Sequence, residues 1–306
     1  MIIVAGEALI DLIVNADGTL DAIPGGGPYN CARTVARLGG SARFLGRIST
    51  DRFGRILIAN LVADGVDVDR VVTTDDPTTL AVAELDALGS ATYHFYLDGT
   101  SAAGLTEAET AGVLTPKVTA LHVGTLGLVV EPTGTTIERI VHAASAGALV
   151  MLDPNCRPSA TRDPDAFRRR IDRIASRTDV VKASVDDLGF LDPTATAEAV
   201  IERFLERGVR VVLRTDGGRA VEVRTPTDRV SVPVPPVGIV DTVGAGDAFG
   251  GGFLAAWTEA GHGRADLASI DRVVEAVTFA IRVAGLTCSR AGADPPTLVE
   301  LEAAPA

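Results

Sequence analysis

The segment from Asp241 to Trp257 contains the residue types most suited to chemistry in this chain. It places Gly244-Ala-Gly-Asp247 directly before an apolar run with helical character. Glycines let the backbone turn sharply, and a helix that begins at such a turn directs unpaired N–H groups and its positive dipole end at an anion. Asp247 would repel an anion, but it has a role if it removes a proton from a group that attacks a bound phosphate. From the chemistry alone, an ordinary glycine turn with Asp247 as a helix-start residue is an equal alternative.

Two common phosphate-binding motifs are missing. Neither Lys117 nor Lys182 lies in the Gly-x-x-x-x-Gly-Lys-Ser/Thr pattern of a P-loop. The first apolar run is followed by Ala5-Gly-Glu-Ala-Leu9, which lacks the Gly-x-Gly-x-x-Gly of a dinucleotide-binding turn. The segment at Gly244–Asp247 therefore indicates an anion site of another type.

Composition excludes several classes of partner. The chain has 306 residues, a hydrophobic fraction of 46%, a charged fraction of 22% and a formal net charge of −12, as in a globular protein that nucleic acid would repel. No apolar run approaches the ~18 residues of a membrane helix. Three widely spaced cysteines and four histidines without metal-ligand spacing predict reduced thiols and no structural zinc. We expect a cytoplasmic protein with small-molecule ligands and no nucleic-acid or membrane partner.

The elements that must position these residues follow a strand–helix rhythm. After a first strand at Ile2–Ala5 and a glycine loop at Pro24–Asn30, helices are expected at 31–38, 53–64, 133–146, 165–176, 196–207 and 271–284. Buried strands are expected at 43–48, 120–123, 148–152, 180–183 and 209–213, with an edge hairpin at 220–223 and 230–234. This alternation predicts a parallel sheet covered on both faces. A further hairpin, Thr79–Leu85 with Ala91–Tyr96, interrupts the rhythm as an inserted sheet would.

Polar residues follow several of the predicted strands. Asp153, Lys182 and Thr215 each lie at or just after a strand, and Gly244–Asp247 begins a helix. Because ligands of such sheets bind at the carboxyl ends of the strands, we expect these residues to share one rim.

Two separated motifs resemble those of the ribokinase-like (PfkB) carbohydrate kinases. Asp241-Thr-Val-Gly-Ala-Gly-Asp-Ala-Phe249 is similar to the family's second signature, and Pro24-Gly-Gly-Gly-Pro-Tyr-Asn-Cys-Ala32 to its first, the sugar-binding glycine loop that ends in Asn. The similarity covers nearly the whole chain, since other segments follow in the family's order: Gly6–Asp11, Asp51–Gly54, Gly65–Asp67, Asp153–Arg157 and Cys288–Ala293.

The resemblance implies an α/β fold with a Rossmann-like three-layer core, a mostly parallel sheet and a small β-sheet lid. It places residues 1–10, 25–75 and 101–306 in the nucleotide- and substrate-binding core, and residues 11–24 and 76–100 in the lid. It also implies ATP-dependent phosphorylation of a sugar hydroxyl.

The resemblance assigns roles to the two glycine-rich motifs. Asp247 becomes the catalytic base, and the N–H groups of Gly244, Ala245 and Gly246 become the anion hole for the transferred phosphoryl group. The substrate contacts it implies are Asp11, Gly26, Gly27, Asn30 and Asp247. Apart from the resemblance, Asp11 reads as a solvated carboxylate at a strand end and Asn30 as a helix N-cap.

Further positions match the family's nucleotide and metal sites. The resemblance places ATP against Asn155, Arg157, Lys182, Ser184, Thr215, Gly217, Gly244 and Gly246. Ser184 and Asp187 replace the Asn and Glu of the family's Asn-x-x-Glu, so Asp187 is expected to act on Mg²⁺ through water, and Ala220 replaces a glycine of the nucleotide-binding turn. A monovalent cation, K⁺, would be bound by Asp241, Val243, Thr287, Arg290 and Gly292, although Pro296 replaces a hydroxyl ligand found in some members.

The acceptor is expected to be fructose or a related ketose. Tyr93–Ala102 and Gly124–Pro132 are most similar to fructokinase-like members, whereas 2-keto-3-deoxygluconate kinases often have Tyr-Arg where this chain has Tyr96-Leu97. A 2-keto-3-deoxygluconate kinase, a nucleoside kinase and a non-catalytic sugar-binding regulator remain alternatives. The inserted hairpin exposes edges and one apolar face, which predicts a homodimer through the lid.

Overall fold

A computed structural model describes residues 1–15, 17–85 and 91–304. The strands in these ranges are β1 Ile2–Ala5, β2 Leu9–Val14, β3 Leu20–Gly25, β4 Ala42–Leu45, β5 Arg47–Ser49, β6 Val72–Thr74, β7 Leu80–Leu85, β8 Ala91–Tyr96, β9 Ala120–Gly124, β10 Leu149–Asp153, β11 Val180–Ser184, β12 Val211–Thr215, β13 Val221–Arg224 and β14 Arg229–Val232. The α-helices are α1 Gly27–Arg37, α2 Arg52–Ala63, α3 Thr133–Ala143, α4 Pro164–Ala175, α5 Val185–Leu191, α6 Ala197–Glu206, α7 Ala245–Glu259, α8 Ile270–Cys288 and α9 Leu298–Ala303.

The large sheet has the strand order β14-β13-β12-β11-β10-β9-β1-β4. The six strands from β12 to β4 are parallel to their neighbours, while β13 and β14 pair antiparallel at one edge. Both the parallel sheet and the edge hairpin were predicted from the repeated strand–helix units, and both are confirmed.

Each face of the large sheet is buried beneath helices. Side chains of α1, α2, α7 and α8 pack with Val4, Met151 and Leu213 on one face. Side chains of α3, α4, α5 and α6 pack with Val123, Val150 and Val212 on the other. Alternate residues of a strand point to opposite faces, so strands covered on both sides read as continuous apolar runs. Within the described residues, none of the helices is both long enough and apolar enough to span a membrane.

A second, small sheet has the order β3-β2-β7-β8. The pairs β2–β3 and β7–β8 are antiparallel and β2–β7 is parallel. The predicted pairing of the two runs at 79–85 and 91–96 is confirmed, and their connection at 86–90 lies outside the described residues. The predicted division into a core and a lid stays a prediction.

Several boundaries differ from those predicted. The glycine loop ends earlier than expected, because Pro24 and Gly25 belong to β3 and α1 already begins at Gly27. Pro28 lies in the first turn of α1, where a missing N–H costs no helical hydrogen bond. The last helix was predicted to end the fold at 284, but α8 continues to Cys288 and α9 follows.

Candidate active site

A cleft of about 900 Å³ opens at the carboxyl ends of the parallel strands. The residues predicted for the substrate, catalytic, nucleotide and metal sites that line it are Asp11, Gly26, Gly27, Asn30, Asn155, Arg157, Lys182, Ser184, Asp187, Thr215, Gly217, Val243, Gly244, Ala245, Gly246 and Asp247. The structure therefore brings Lys182, Thr215 and the turn at Gly244–Asp247 to one rim, as the rule for ligands of parallel sheets leads one to expect. Asp153, predicted for the same rim, does not line the cleft and is instead buried in an ion pair with Lys182. Asp241, Thr287, Arg290 and Gly292, which were predicted for the monovalent cation, do not line the cleft.

Asp247 lies in the first turn of α7 and is held by two amides. Asn30 Nδ2 donates to its Oδ2 at 2.9 Å, and Asn155 Nδ2 donates to its Oδ1 at 3.3 Å. Each carboxylate oxygen has two lone pairs, so each can still accept a proton from a ligand. The two amides fix the plane of the carboxylate, and a fixed plane is what a general base requires.

The glycine turn before Asp247 adopts the conformation that glycine favours. Gly244 is the N-cap of α7 with φ 74°, and a Cβ at this position would lie 2.5 Å from Ala293 Cβ. Ala245 N donates to Thr242 O at 3.2 Å, and within the described residues no protein acceptor faces Gly246 N. The N-terminus of α7 thus presents at least one N–H group and its dipole to the cleft.

Lys182 lies beneath this turn as part of a buried ion pair. Its Nζ is 2.8 Å from Asp153 Oδ2, and a Cβ on Gly246 would lie 2.7 Å from the same nitrogen. Burial opposes the charge, but the carboxylates of Asp153 and Asp187 outweigh it and raise the pKa of Lys182. A positive charge is therefore fixed beside Gly246, in the first turn of α7.

Asp11 and Gly27 form the opposite wall of the cleft. Gly25 leaves room for the Asp11 carboxylate, because a Cβ at Gly25 would overlap Asp11 Oδ2. A Cβ on Gly27 would lie 3.1 Å from Asp247 Oδ1 and 3.3 Å from Asn155 Nδ2. Burial, reinforced by the charge of Asp247, raises the pKa of Asp11 to about 6 although Arg157 opposes the shift. The missing side chains of Gly25 and Gly27 thus leave room beside the carboxylates of Asp11 and Asp247.

Asn155 and Arg157 follow β10 at the centre of the cleft. Asn155 has φ 39°, which is strained for a residue other than glycine, and strain of this kind is concentrated at functional sites. Arg157 Nη1 donates to Asn155 Oδ1 at 2.7 Å, and this bond turns the Asn155 amide nitrogen toward Asp247. Arg157 therefore orients Asn155 in addition to lining the cleft.

Ser184 and Asp187 form a capping box at the start of α5. Asp187 Oδ2 accepts from Ser184 N at 2.8 Å and from Ser184 Oγ at 2.7 Å, while its Oδ1 accepts from Cys156 N at 2.6 Å. Both carboxylate oxygens are thus engaged by protein donors. A single carboxylate of this kind suits Mg²⁺, which keeps several waters and takes further ligands from phosphate oxygens.

The far end of the cleft is apolar. Thr215 and Gly217 lie on it, as predicted, beside a wall that the sequence analysis did not assign. The wall consists of Val221, Val234, Pro235, Pro236, Val237, Ile239, Ile281, Ala284 and Cys288. An apolar slot next to a helix N-terminus suits a flat, uncharged ring attached to a phosphate chain.

Among the residues predicted to bind a monovalent cation, oxygen atoms accept hydrogen bonds from backbone N–H groups of the same set. Asp241 Oδ1 accepts from Val243 N at 3.0 Å, and its Oδ2 accepts from Gly292 N at 2.8 Å. The carbonyl of Thr287 accepts from Arg290 N at 3.1 Å. Asp241 therefore ties the turn of α7 to the segment after α8, and the cation site stays a prediction.

Glu7 and Thr125 are two polar cleft residues among those that the sequence did not indicate. Glu7 lies two residues after the end of β1, and Thr125 directly follows β9. Both obey the strand-end rule that pointed to Asp153 and Lys182. Thr125 has φ 55°, a conformation that a β-branched residue rarely adopts and that no sequence pattern announces.

Comparison with known proteins agrees with this geometry. The pfkB family carbohydrate kinase model matches residues 1–299. A fructokinase from Rhizobium leguminosarum bv. trifolii is 36% identical over 260 aligned positions, covering 83% of this chain and 79% of the relative. Fructokinase-1 from Oryza sativa subsp. japonica is 33% identical over 312 aligned positions, covering 99% of this chain and 96% of the relative.

Solved structures show the same similarity. The crystal structure of fructokinase from Xylella fastidiosa with bound ATP has a TM-score of 0.92 and 29% identity, and the match covers 99% of this chain and 97% of that chain. The fructokinase from Vibrio cholerae O395, with fructose, ADP and calcium ion bound, has a TM-score of 0.86 and 27% identity, with coverages of 99% and 97%. The chain belongs to the pfkB family of carbohydrate kinases and is a sugar kinase.

Proposed function

We propose that this sugar kinase transfers the γ-phosphoryl group of ATP to a hydroxyl of fructose or a related ketose. The observation that carries the proposal is the position of Asp247, which stands between the glycine turn of α7 and the space left by Gly27. Relatives that are 36% and 33% identical are named fructokinases, and this supports a ketose as acceptor.

In the proposed reaction, Asp247 removes the proton of the acceptor hydroxyl as that oxygen attacks the γ-phosphorus. The new oxygen–phosphorus bond forms as the bond from the γ-phosphorus to the bridging oxygen breaks, and ADP leaves with the electron pair. The N–H groups of the turn at Gly244–Gly246 and the charge of Lys182 stabilise the negative charge on the transferred group.

Mg²⁺ fits the site through the Asp187 carboxylate, which lines the cleft from the first turn of α5. When bound, the ion would neutralise part of the phosphate charge, with Asp187 reaching it through water. Asn155, Arg157 and Ser184 lie on the same part of the cleft, and we propose that they contact the nucleotide phosphates.

The small sheet faces the acceptor end of the cleft. Leu9, Asp11, Ala81, Tyr93 and Phe95 project from it onto the cleft, and the rings of Tyr93 and Phe95 are stacked with centroids 6.2 Å apart. We propose that this sheet is the lid that covers the acceptor and excludes water.

The opposite face of the small sheet supports the proposed homodimer. Leu20 and Tyr96 are each 60% exposed there, and a second copy of the chain would bury them. Sedimentation velocity of the purified protein tests this, because a monomer at micromolar concentration contradicts it.

The test of function is an ADP-release assay over an acceptor panel of fructose, 2-keto-3-deoxygluconate, ribose and adenosine. We expect fructose to give the highest kcat/KM and the product to carry one phosphate ester. A preference for the sugar acid or for adenosine would replace the acceptor class while keeping the kinase. Sugar binding by calorimetry with no ADP release from any acceptor would support a non-catalytic regulator instead.

A further inference from the structure

Glu7 is a buried carboxyl group without an assigned role. It follows β1, lies on the cleft and is 0% exposed. Its Oε1 accepts from Gly27 N at 3.2 Å and its Oε2 accepts from Gly127 N at 2.8 Å. Burying a carboxyl group is costly unless its oxygens are paired, and here backbone N–H groups from two different segments pair both of them.

The first of these bonds completes the N-terminus of α1. Gly26 is the N-cap of this helix and has no side chain that could accept a hydrogen bond, so the N–H of Gly27 depends on an acceptor from elsewhere in the chain. Glu7 supplies that acceptor. When the carboxyl group is ionised, its charge lies at the positive end of the α1 dipole, where an anion is stabilised.

The second bond holds the turn at Thr125–Leu128, which is a single 3₁₀ segment after β9. Gly127 lies in this segment and approaches Gly6 closely, since a Cβ at Gly127 would lie 2.9 Å from Gly6 Cα. Glu7 therefore joins the end of β1, the start of α1 and the turn after β9.

Each of these two segments is connected to Asp247 by hydrogen bonds. The first turn of α1 carries Asn30, whose amide donates to Asp247 Oδ2 at 2.9 Å. The turn after β9 carries Thr125, whose Oγ1 accepts from Asn155 Nδ2 at 3.3 Å, and the same Nδ2 donates to Asp247 Oδ1 at 3.3 Å. Each oxygen of the Asp247 carboxylate thus accepts a hydrogen bond from one amide, that of Asn30 or that of Asn155. The two segments that support these amides are both hydrogen-bonded to Glu7.

We propose that Glu7 is a positioning residue for phosphoryl transfer: through the N–H groups of Gly27 and Gly127 it holds Asn30 and Asn155 in the geometry that orients Asp247. The inference rests on the proposed role of Asp247 as the base. Glu7 acts through the two amides and takes no proton from the acceptor itself.

The electrostatic environment of Glu7 agrees with a role beyond packing. Burial raises the pKa of Glu7 to about 8, the charge of Asp247 adds to this, and the hydrogen bonds from backbone N–H groups oppose it. An uncharged residue of the same size would fill the space without this desolvation cost. Perturbed carboxyl groups of this kind are concentrated at functional sites.

The test replaces Glu7 by Gln, which keeps the volume but presents an NH₂ donor to one of the two N–H groups. We expect kcat for fructose to fall roughly 10- to 100-fold, as for a small displacement of a catalytic group. The KM for ATP should change much less than kcat, because Asn155 is only one of the proposed phosphate contacts, while Thr215, Gly217 and the apolar wall would hold the rest of the nucleotide. Glu259→Gln, at the exposed end of α7, is the matched control.

A double-mutant cycle with Asp247→Asn separates this inference from the proposed function. If Glu7 acts through Asp247, Glu7→Gln lowers the residual kcat less than about twofold when Asp247 is already Asn. A full additional loss in that background overturns the inference while Asp247 keeps its role. Wild-type turnover by Asp247→Asn alone overturns the proposed function itself.

If Glu7 has only a structural role, measurements on Glu7→Gln should give a different result. In that case the unfolding temperature falls, but kcat per molecule able to bind ATP stays at the wild-type value, which would overturn the inference. Glu7→Asp is the second variant in case Glu7→Gln does not fold. Its carboxylate is one methylene shorter and cannot reach both N–H groups, so we expect the same split between kcat and the KM for ATP.

Discussion

Asn30 Nδ2 lies 2.9 Å from Asp247 Oδ2, and this bond joins the helix after the acceptor loop to the helix that carries the proposed base. The two residues come from the two glycine-rich motifs and are far apart in the chain. Their contact agrees with the proposed reaction, in which one motif leaves space for the acceptor, the other presents N–H groups, and the proposed base stands where the two motifs meet.

Replacing Asp247 by Asn removes the proposed base while keeping the shape of the side chain. We expect kcat to fall by roughly 10²–10⁴, the usual contribution of a general base, with little change in unfolding temperature. Initial rates of ADP release at saturating ATP and fructose measure this. Asp271→Asn, an exposed carboxylate in the first turn of α8, is the matched control and should keep wild-type turnover.

Replacing Gly244 by Ala tests the turn in front of Asp247. The added Cβ would lie 2.5 Å from Ala293 Cβ, at a φ of 74° that alanine resists. The turn must shift, and since loss of one preorganised N–H donor costs about 10²- to 10³-fold in kcat, we expect a loss of about 10²-fold.

Gly189 provides the comparison for Gly244. It lies inside α5, and a Cβ there would have no heavy atom within 4 Å. Gly189→Ala should raise the free energy of unfolding by about 0.5–1 kcal/mol and leave kcat unchanged. Equal kinetic effects of the two substitutions would show that the turn at Gly244 has no special part in the reaction.

The buried ion pair of Lys182 and Asp153 should contribute both to the stability of the fold and to the activity of the site. Lys182→Met leaves the Asp153 charge buried without its partner, a change that costs about 3–5 kcal/mol of unfolding free energy in comparable pairs. The double variant Lys182→Met/Asp153→Asn removes both charges and should recover much of that loss.

This double variant should recover stability without recovering activity. The double variant still lacks the positive charge below Gly246, so we expect its kcat to remain low although it is folded. Urea unfolding and initial rates at pH 7.5 measure the two quantities. If the double variant recovers wild-type kcat along with its stability, Lys182 has only a structural role.

Much of this fold was predictable because its strands are buried on both faces. Continuous apolar runs at β9–β12 and the helices between them indicated a parallel sheet, and the sheet in turn indicated where Asp153, Lys182 and Thr215 would meet. The glycine turn before α7 was recognisable from local chemistry alone, since a helix N-terminus with small residues needs no distant partner.

The parts that were missed depend on distant contacts. The parallel pairing of β2 with β7 joins segments far apart in the chain, and no local pattern specifies such a pair. Thr125 keeps its positive φ because the surrounding structure imposes it. Glu7 reads locally as a surface carboxylate, and its burial follows only once α1 and the turn after β9 are in place.

Asp11 should make acceptor binding depend on pH. Burial, with the nearby charge of Asp247, raises its pKa to about 6, so Asp11 is ionised above pH 6 and protonated below it. As a carboxylate it accepts hydrogen bonds from sugar hydroxyls through both oxygens, and protonation turns one of these oxygens into a donor. We therefore expect the KM for fructose to rise as pH falls below 6, by up to about tenfold per pH unit.

Initial rates at saturating ATP from pH 5 to pH 8 test this dependence. Asp11→Asn should have a high KM for fructose that is flat across the range, because an amide does not titrate and also presents a donor. Asp17→Asn changes an exposed carboxylate at the turn between β2 and β3, where its Oδ1 accepts from Thr19 N at 2.9 Å, and should keep the wild-type profile. If the rise in KM below pH 6 persists in Asp11→Asn, another group controls acceptor binding.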